Sequence, residues 1–285
     1  MGFYKIYRKV YNEKQKVTEK NIYNEGEKMK NVKAVILAAG EGTRMKSRLS
    51  KLLHPLRYQA LVKFPVNACV ESGIGEVILV VGHQAEKIKS VLGDGFTYVY
   101  QKKRLGTGDA LKQAVPLLKD FKGELVVLPG DAPFINSSTL IQLIQYHRRQ
   151  KPVATVLTAL LSDPGHYGRV IRDGYRQIKK IVESKDAKSE ELKVKEVNSG
   201  IYCFDTQKLL QVLPYLNCNN VGKEYYLTDV VEIFHRRGLR VEAMMTNDPT
   251  VVLGVNTPEE LKRAWRILKK RDRRKADNPS RTLPG

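Results

Sequence analysis

The stretch Val32-Lys33-Ala34-Val35-Ile36-Leu37-Ala38-Ala39-Gly40-Glu41-Gly42-Thr43-Arg44-Met45 joins a nearly unbroken apolar run to a glycine-rich turn. The run, residues 32–37, has the pattern of a strand covered on both faces. Gly40 and Gly42 permit a tight loop whose backbone N–H groups can face a phosphate. No Gly-Lys-Ser/Thr follows, which excludes a P-loop, and Met45 replaces the third glycine of a dinucleotide fingerprint. Two cations follow instead, Arg44 and Lys51. Positive charge of this kind is what the β and γ oxygens of a triphosphate need when pyrophosphate leaves. Such a turn also occurs for purely structural reasons; the two cations are what favour phosphate.

Further apolar runs lie at 77–81, 97–100, 124–128 and 153–161, with helical patterns between them near 59–72, 84–92, 108–119 and 137–150. In the last, Leu140, Leu143, Ile144 and His147 recur at i, i+3, i+4, i+7 and form one stripe. Strands alternating with helices predict an α/β fold: a doubly wound, mostly parallel sheet whose ligands sit beyond the strands' carboxyl ends. The texture changes after 165, where shorter and more polar strands at 169–172, 177–182 and 196–204 suggest a small antiparallel flap. A helix is expected near 224–238, with Leu227, Val230, Val231 and Phe234 on one face. A strand is expected at 251–255. Thr257-Pro258-Glu259-Glu260 then forms a capping box, opening a final helix with Leu261, Ala264, Trp265 and Leu268 as its apolar stripe. The expected organisation is a flexible basic extension over 1–28, one domain over 29–256, a helix over 257–271 and a frayed basic tail over 272–285.

The formal charge of +20 sits mostly in the two ends, since residues 34–261 carry only +7. Solvated tails and an anion-binding cleft account for that pattern, and no nucleic-acid-binding motif accompanies it. No apolar run reaches the roughly 20 residues of a membrane span, and the N-terminus lacks the apolar region of a secretion signal. The expected location is the cytoplasm. Cys69, Cys203 and Cys218 are widely spaced, which predicts buried thiols rather than a disulfide or zinc framework.

Asp131 ends the run Leu125-Val126-Val127-Leu128-Pro129-Gly130-Asp131, where this fold binds ligands. Asn256 follows the apolar run 251–255. An Asp and an Asn could together hold one Mg2+, with phosphate oxygens and water completing its octahedron. Asp131 equally fits a helix cap, and Asn256 a turn.

Taken in order, the motifs resemble the bacterial N-acetylglucosamine-1-phosphate uridylyltransferases, within the sugar nucleotidyltransferase superfamily. They are Leu37–Met45 with Lys51-Leu52-Leu53-His54, then Gln101, Leu105–Gly108, Gly130-Asp131 and Tyr167-Gly168-Arg169. Val182–Ala187, Val197–Gly200, Glu224–Asp229 and Gly254-Val255-Asn256 complete the set, and the likeness covers residues 32–268. Each element alone is weak, but the ordered set is specific. The resemblance implies a Rossmann-like nucleotidyltransferase fold with a sugar-binding flap. It implies that UTP and N-acetylglucosamine 1-phosphate are converted to UDP-N-acetylglucosamine and pyrophosphate, with Mg2+ as cofactor, in peptidoglycan precursor synthesis. Leu37, Ala38, Ala39, Gly40, Gln101, Gly106 and Thr107 would hold the uridine nucleotide. Arg44 and Lys51 would neutralise the triphosphate, and Asp131 and Asn256 would bind the metal. Gly168, Glu183 and Asn198 would receive the sugar, with Tyr226 and Thr228 nearby.

Three departures from the family stand out. Tyr58 replaces a glycine, which would distort the turn before the next helix. Pro129 occupies a variable position that is often polar or aromatic. The hexapeptide repeats of the family's acetyltransferase β-helix are missing from this chain, so the expectation is a monomer without acetyltransferase activity. Alternative readings are a relative using another sugar or base, or a non-catalytic nucleotide-sugar binder.

Overall fold

The computed structural model describes residue 29 and residues 31–276; the expectations for 1–28 and 277–285 lie outside these. In chain order the strands are β1 Val32–Ala38, β2 Pro55–Leu56, β3 Gln59–Ala60, β4 Glu76–Val81, β5 Thr97–Tyr100 and β6 Glu124–Pro129. They continue with β7 Ala154–Leu160, β8 Arg169–Arg172, β9 Ile178–Val182, β10 Glu196–Asp205 and β11 Val241–Met245.

Among the described residues the main sheet runs β11-β7-β10-β6-β1-β4-β5, and β8 and β9 branch from β10. β1 lies parallel to both β4 and β6. The chain therefore reverses its direction of travel across the sheet at β1, and a cleft opens beyond the ends of β1 and β6. β10 runs antiparallel to both β6 and β7. Its Val197, still paired with β7, also pairs with β8, which with β9 makes the flap.

Alternation along β1 sends its residues to two cores. Val32, Ala34 and Ile36 pack with the helices Lys63–Glu71 and Ser137–Gln150. Val35 and Ala39 pack on the other face, beneath the helices Thr107–Lys112, Thr206–Val212 and Asp229–Arg236. This two-sided cover is why the run at 32–37 contains almost no polar residue.

Several expected elements are corrected. The helix expected from 59 begins at Lys63, because Gln59–Ala60 pairs with Pro55–Leu56 in a hairpin. Its two turn residues are Arg57, which takes the positive φ of 62°, and Tyr58, which stands in solvent at 95% exposure. The side chain expected to distort this turn thus stands in solvent, with the Arg57 guanidinium 5.4 Å over its ring. The helix expected over 108–119 divides at residues 113–114, ahead of Pro116, whose missing N–H cannot continue the ladder. The helix expected from 224 starts only at Asp229, because the backbone of 225 and 227 bonds to the 105–108 loop. Residues 251–255 form no strand. Asp248 caps a 3-10 turn over Pro249–Val252, and Pro249 fixes its first residue. β11 and the helices Thr206–Val212 and Ser189–Leu192 were not expected.

The Thr257 capping box forms: its hydroxyl accepts from the Glu260 N–H at 3.1 Å, and the Glu260 carboxylate accepts from the Asn256 and Thr257 N–H groups. The helix runs from Pro258 to Ala276 rather than stopping at 271. Its last turns are Lys- and Arg-rich, which suits both helix propensity and the negative C-terminal end of the dipole. Ala264 is buried as expected, but Trp265 is exposed, and Ile267 packs beside Leu261 and Leu268 in its place.

Cys69 and Cys203 are buried free thiols; Cys218 is half-buried. Burial pushes the Cys69 thiol up to about 12, so it stays protonated and inert. No helix among the described residues is long and apolar enough to cross a membrane.

His147 lies within the stripe Leu140, Leu143, Ile144, with its Nδ1 2.9 Å from the Thr155 hydroxyl. Burial lowers its pKa to about 4, against a partial opposing pull from Glu124 and Asp205. The unfolded chain therefore binds the extra proton first. This contribution to stability is whole above the ordinary histidine value near 6.5 and is lost as pH falls toward 4, up to about 3 kcal/mol. Asp229, raised to about 6 chiefly by burial, works in the opposite sense over nearly the same range. Comparison with a variant isolates the histidine. Between pH 7 and 4.5, the parent should lose denaturation free energy more steeply than His147→Gln, and equal slopes would refute this account.

Candidate active site

The cleft beyond β1 and β6 holds about 650 Å3. Its floor is the end of β1, the glycine-rich loop and the end of β6. Leu37, Ala39 and Gly40 line it, while Ala38 is buried in the sheet. Met45 is buried and anchors the loop. Gly42 has φ +70°, and a Cβ there would stand 2.7 Å from Lys51 Cβ and 2.8 Å from Lys51 Cγ. Glycine at 42 is thus needed twice, for the left-handed turn and for the lysine stem lying against it.

Lys51 leads to the centre of the site. Its Nζ contacts Asp131 Oδ2 and lies 2.8 Å from Asn256 Oδ1. The two residues expected to bind metal, 125 positions apart in sequence, are therefore brought to one point. Asp131 arrives at the end of β6, and Asn256 arrives between the 3-10 turn and the final capped helix. The side chains of Lys51 and Asp131 are only 15% and 11% exposed, so little water screens the pair. Arg44 is exposed and does not line the cleft; Thr43 forms that part of the wall.

One end of the cleft is built by residues 101–107. Gln101 is almost fully buried. Its Nε2 donates to the Gly106 carbonyl at 3.1 Å and to Asp109 at 2.7 Å. Both amide hydrogens are thus engaged, and Oε1 is left free to accept. Gly106 has φ +107°, and a Cβ there would stand 2.6 Å from the Tyr225 carbonyl oxygen and 2.8 Å from its nitrogen. The two segments are laced together: the Tyr225 N–H donates to the Leu105 carbonyl, the Gly108 N–H to the Tyr225 carbonyl and the Leu227 N–H to the Thr107 hydroxyl.

The other end belongs to β10 and the flap. Glu183, at the end of β9, accepts from the Thr228 hydroxyl at 3.2 Å. Burial raises its pKa, and Asp186 and Glu224 add to the effect, while the Thr228 bond opposes it. Gly168 does not line the cleft; a Cβ there would lie 3.2 Å from Ile181 Cγ2 and 3.6 Å from both Glu183 carboxylate oxygens. Asn198 donates to the Tyr202 hydroxyl at 2.7 Å and accepts from the Gly200 N–H. Tyr226 faces a neighbouring polar hollow of about 640 Å3 that shares Glu183 with the cleft.

Four contributors were missed from sequence. Tyr202 positions Asn198, and no signal in sequence marked it, because β10 is irregular between the two residues, with Gly200 at a φ of 76°. Arg104 and Glu41 form an ion pair in which both residues line the cleft. Gln84 donates to the Arg48 carbonyl at 2.7 Å and accepts from the Ser50 N–H at 3.1 Å, bracing the segment that delivers Lys51. Those three depend on loop positions that no periodicity reports.

A family profile described as nucleotidyl transferase matches residues 33–266. The bifunctional protein GlmU of Acetivibrio thermocellus is 48% identical over 238 residues, covering 84% of this chain and 52% of that protein. The bifunctional protein GlmU of Bacillus subtilis is 42% identical over 238 residues, again 84% of this chain and 52% of that protein. The chain thus spans about half the length of these curated relatives. A solved Bacillus anthracis chain, whose description names a glucose-1-phosphate thymidylyltransferase, superposes with a TM-score of 0.67 at 22% identity. It covers 83% of this chain and 94% of that one, a likeness of fold alone. The profile match takes in the glycine-rich turn, Lys51, Asp131 and Asn256 in a single span, and by that match this chain belongs to the nucleotidyl transferase family.

Proposed function

We propose that this chain transfers the uridylyl group of UTP to N-acetylglucosamine 1-phosphate, releasing pyrophosphate and UDP-N-acetylglucosamine, in the cytoplasm. The observation that carries this reading is a single cleft with a base-sized acceptor site at one end and a carboxylate–amide pocket at the other. Lys51 and Asp131 lie between them. Gln101 Oε1, the acceptor left over from its own network, suits the N3–H of uracil. The Gly106 and Thr107 backbone and the Leu37–Gly40 turn enclose the nucleoside. Glu183 and Asn198 suit sugar hydroxyls and an acetamide, with Gly168 next to the Glu183 carboxylate.

The sugar phosphate is already an anionic nucleophile, so no side chain needs to remove a proton. Its oxygen bonds to the α-phosphorus of UTP as the bond to the β-phosphate bridging oxygen breaks, and the electron pair leaves with pyrophosphate. Lys51 offsets the charge on the departing phosphates. Arg44, exposed on the same loop, is assigned to the outer phosphates. Asp131 and Asn256 present two oxygen donors to a single ammonium, the donor chemistry of a hard cation, and these residues would hold Mg2+. Bound there, the ion supplies positive charge to the two phosphate groups that must approach each other.

The test is pyrophosphate release from UTP with a panel of sugar 1-phosphates. N-Acetylglucosamine 1-phosphate should exceed glucose 1-phosphate by at least about tenfold in kcat/KM, the discrimination available to a site that pairs with an acetamide. Protein that binds UTP but releases no pyrophosphate with any sugar phosphate would be a binder, and the proposal would fail. Gln84→Ala should weaken UTP binding by about fivefold, the worth of about 1 kcal/mol in lost loop bracing, with little change in melting temperature. Unchanged UTP affinity would remove Gln84 from the positioning residues.

A further inference from the structure

Lys51 occupies the oxygens assigned to the metal. Its ammonium contacts Asp131 Oδ2 and Asn256 Oδ1 together. A divalent ion would draw on the same carboxylate and the same amide oxygen, and two cations a few ångströms apart on one carboxylate repel strongly in a poorly screened site. We propose that Lys51 is an internal competitor for the divalent cation: its ammonium holds the Asp131–Asn256 pair until phosphate oxygens in the cleft draw it away. The proposal rests on the assignment of Asp131 and Asn256 as metal ligands.

Three features of the site make the competition specific. The backbone that carries both oxygens is braced: the Asn256 N–H is tied to the Glu260 carboxylate at 2.7 Å, and the Asp131 carbonyl accepts from the Val255 N–H at 3.1 Å. The Cβ and Cγ of Lys51 are held against Gly42, so only the outer part of the side chain swings. That swing has a destination, because the loop against which the stem lies is the one whose backbone faces the nucleotide phosphates in the proposed complex. Metal and nucleotide then help each other onto the protein. The lysine that the metal must displace is the lysine that the phosphates attract, and such coupling is reciprocal.

Mn2+ is the probe, its free concentration read by electron paramagnetic resonance in titrations of the whole chain with and without UTP. In the absence of nucleotide, Lys51→Met and Lys51→Gln should each bind Mn2+ about tenfold more tightly than the parent, the scale of one lost charge-assisted contact. Lys51→Arg should stay near the parent. The enhancement of Mn2+ binding by UTP should shrink in the neutral variants by the same factor. Neutral variants that bind Mn2+ no more tightly than the parent would overturn the competition. If Asp131→Ala leaves Mn2+ binding unchanged, the metal assignment itself falls, and the competition with it.

Discussion

Asp131→Ala lowers the rate of pyrophosphate release by about a thousandfold, some 4 kcal/mol of transition-state stabilisation, while the protein stays folded. The carboxylate is nearly buried and faces the Lys51 ammonium. Its removal deprives the site of the one anion that fixes both the lysine and the proposed metal. The backbone of residue 131 keeps its bond from the Val255 N–H, so the segment carrying Asn256 remains docked. Steady-state assays beside circular dichroism check this. A folded variant within tenfold of the parent would exclude Asp131 from the catalytic machinery.

Gly106→Ala destabilises the protein by about 3 kcal/mol and raises the KM for UTP at least about tenfold. Two costs combine: an L side chain at a strongly positive φ, and a methyl group forced against backbone. At Gly106 the φ is +107° and the obstructing atoms are the Tyr225 carbonyl and nitrogen. Neither is a flexible side-chain end, so the 105–108 and 225–227 segments must part, and Gln101 loses the carbonyl that orients its amide. Gly95→Ala is the control, since nothing lies within 4 Å of a Cβ there and its φ is not positive. Denaturant unfolding of both variants checks the difference; equal stabilities would refute the steric account.

The strands of the main sheet nearest β1, with β7, were legible because their sequences are mainly apolar and β-branched or aromatic. β1, β4, β5, β6 and β7 lie within a residue of where periodicity alone sets them. The strand misread at 251–255 shows the limit. Val251 and Val252 are buried, but Pro249 and the Asp248 cap turn that apolar run into a 3-10 turn, and burial alone does not distinguish strand from turn. β11 was illegible because Val241-Glu242-Ala243-Met244-Met245 holds a single β-branched residue and no alternation. In the candidate site, Lys51, Asp131 and Asn256 were singled out by the chemistry of their types, and Asn256 by its place after an expected strand that does not form. What sequence did not carry was their meeting at one ammonium, a tertiary contact with no local signature. The same holds for Tyr202, which acts through Asn198, and for the segment 224–228, whose helical appearance yields to long-range backbone pairing.

The antiparallel strand β10 has a consequence for how the molecule is assembled. Among the described residues it alone joins the β7–β11 pair to the strands around β1. It emerges about 70 residues after β6, the strand it must lie beside. Until then, a nascent chain has an open edge on β6 and no Asn198 or Tyr202. Contacts so distant in sequence close slowly, and an exposed edge in the meantime invites pairing with another chain. The strand that completes the Glu183–Asn198 end of the cleft is therefore also the one that ends the chain's exposure to aggregation. Substitutions along it should show first as poor recovery of soluble protein and only afterwards as lost turnover.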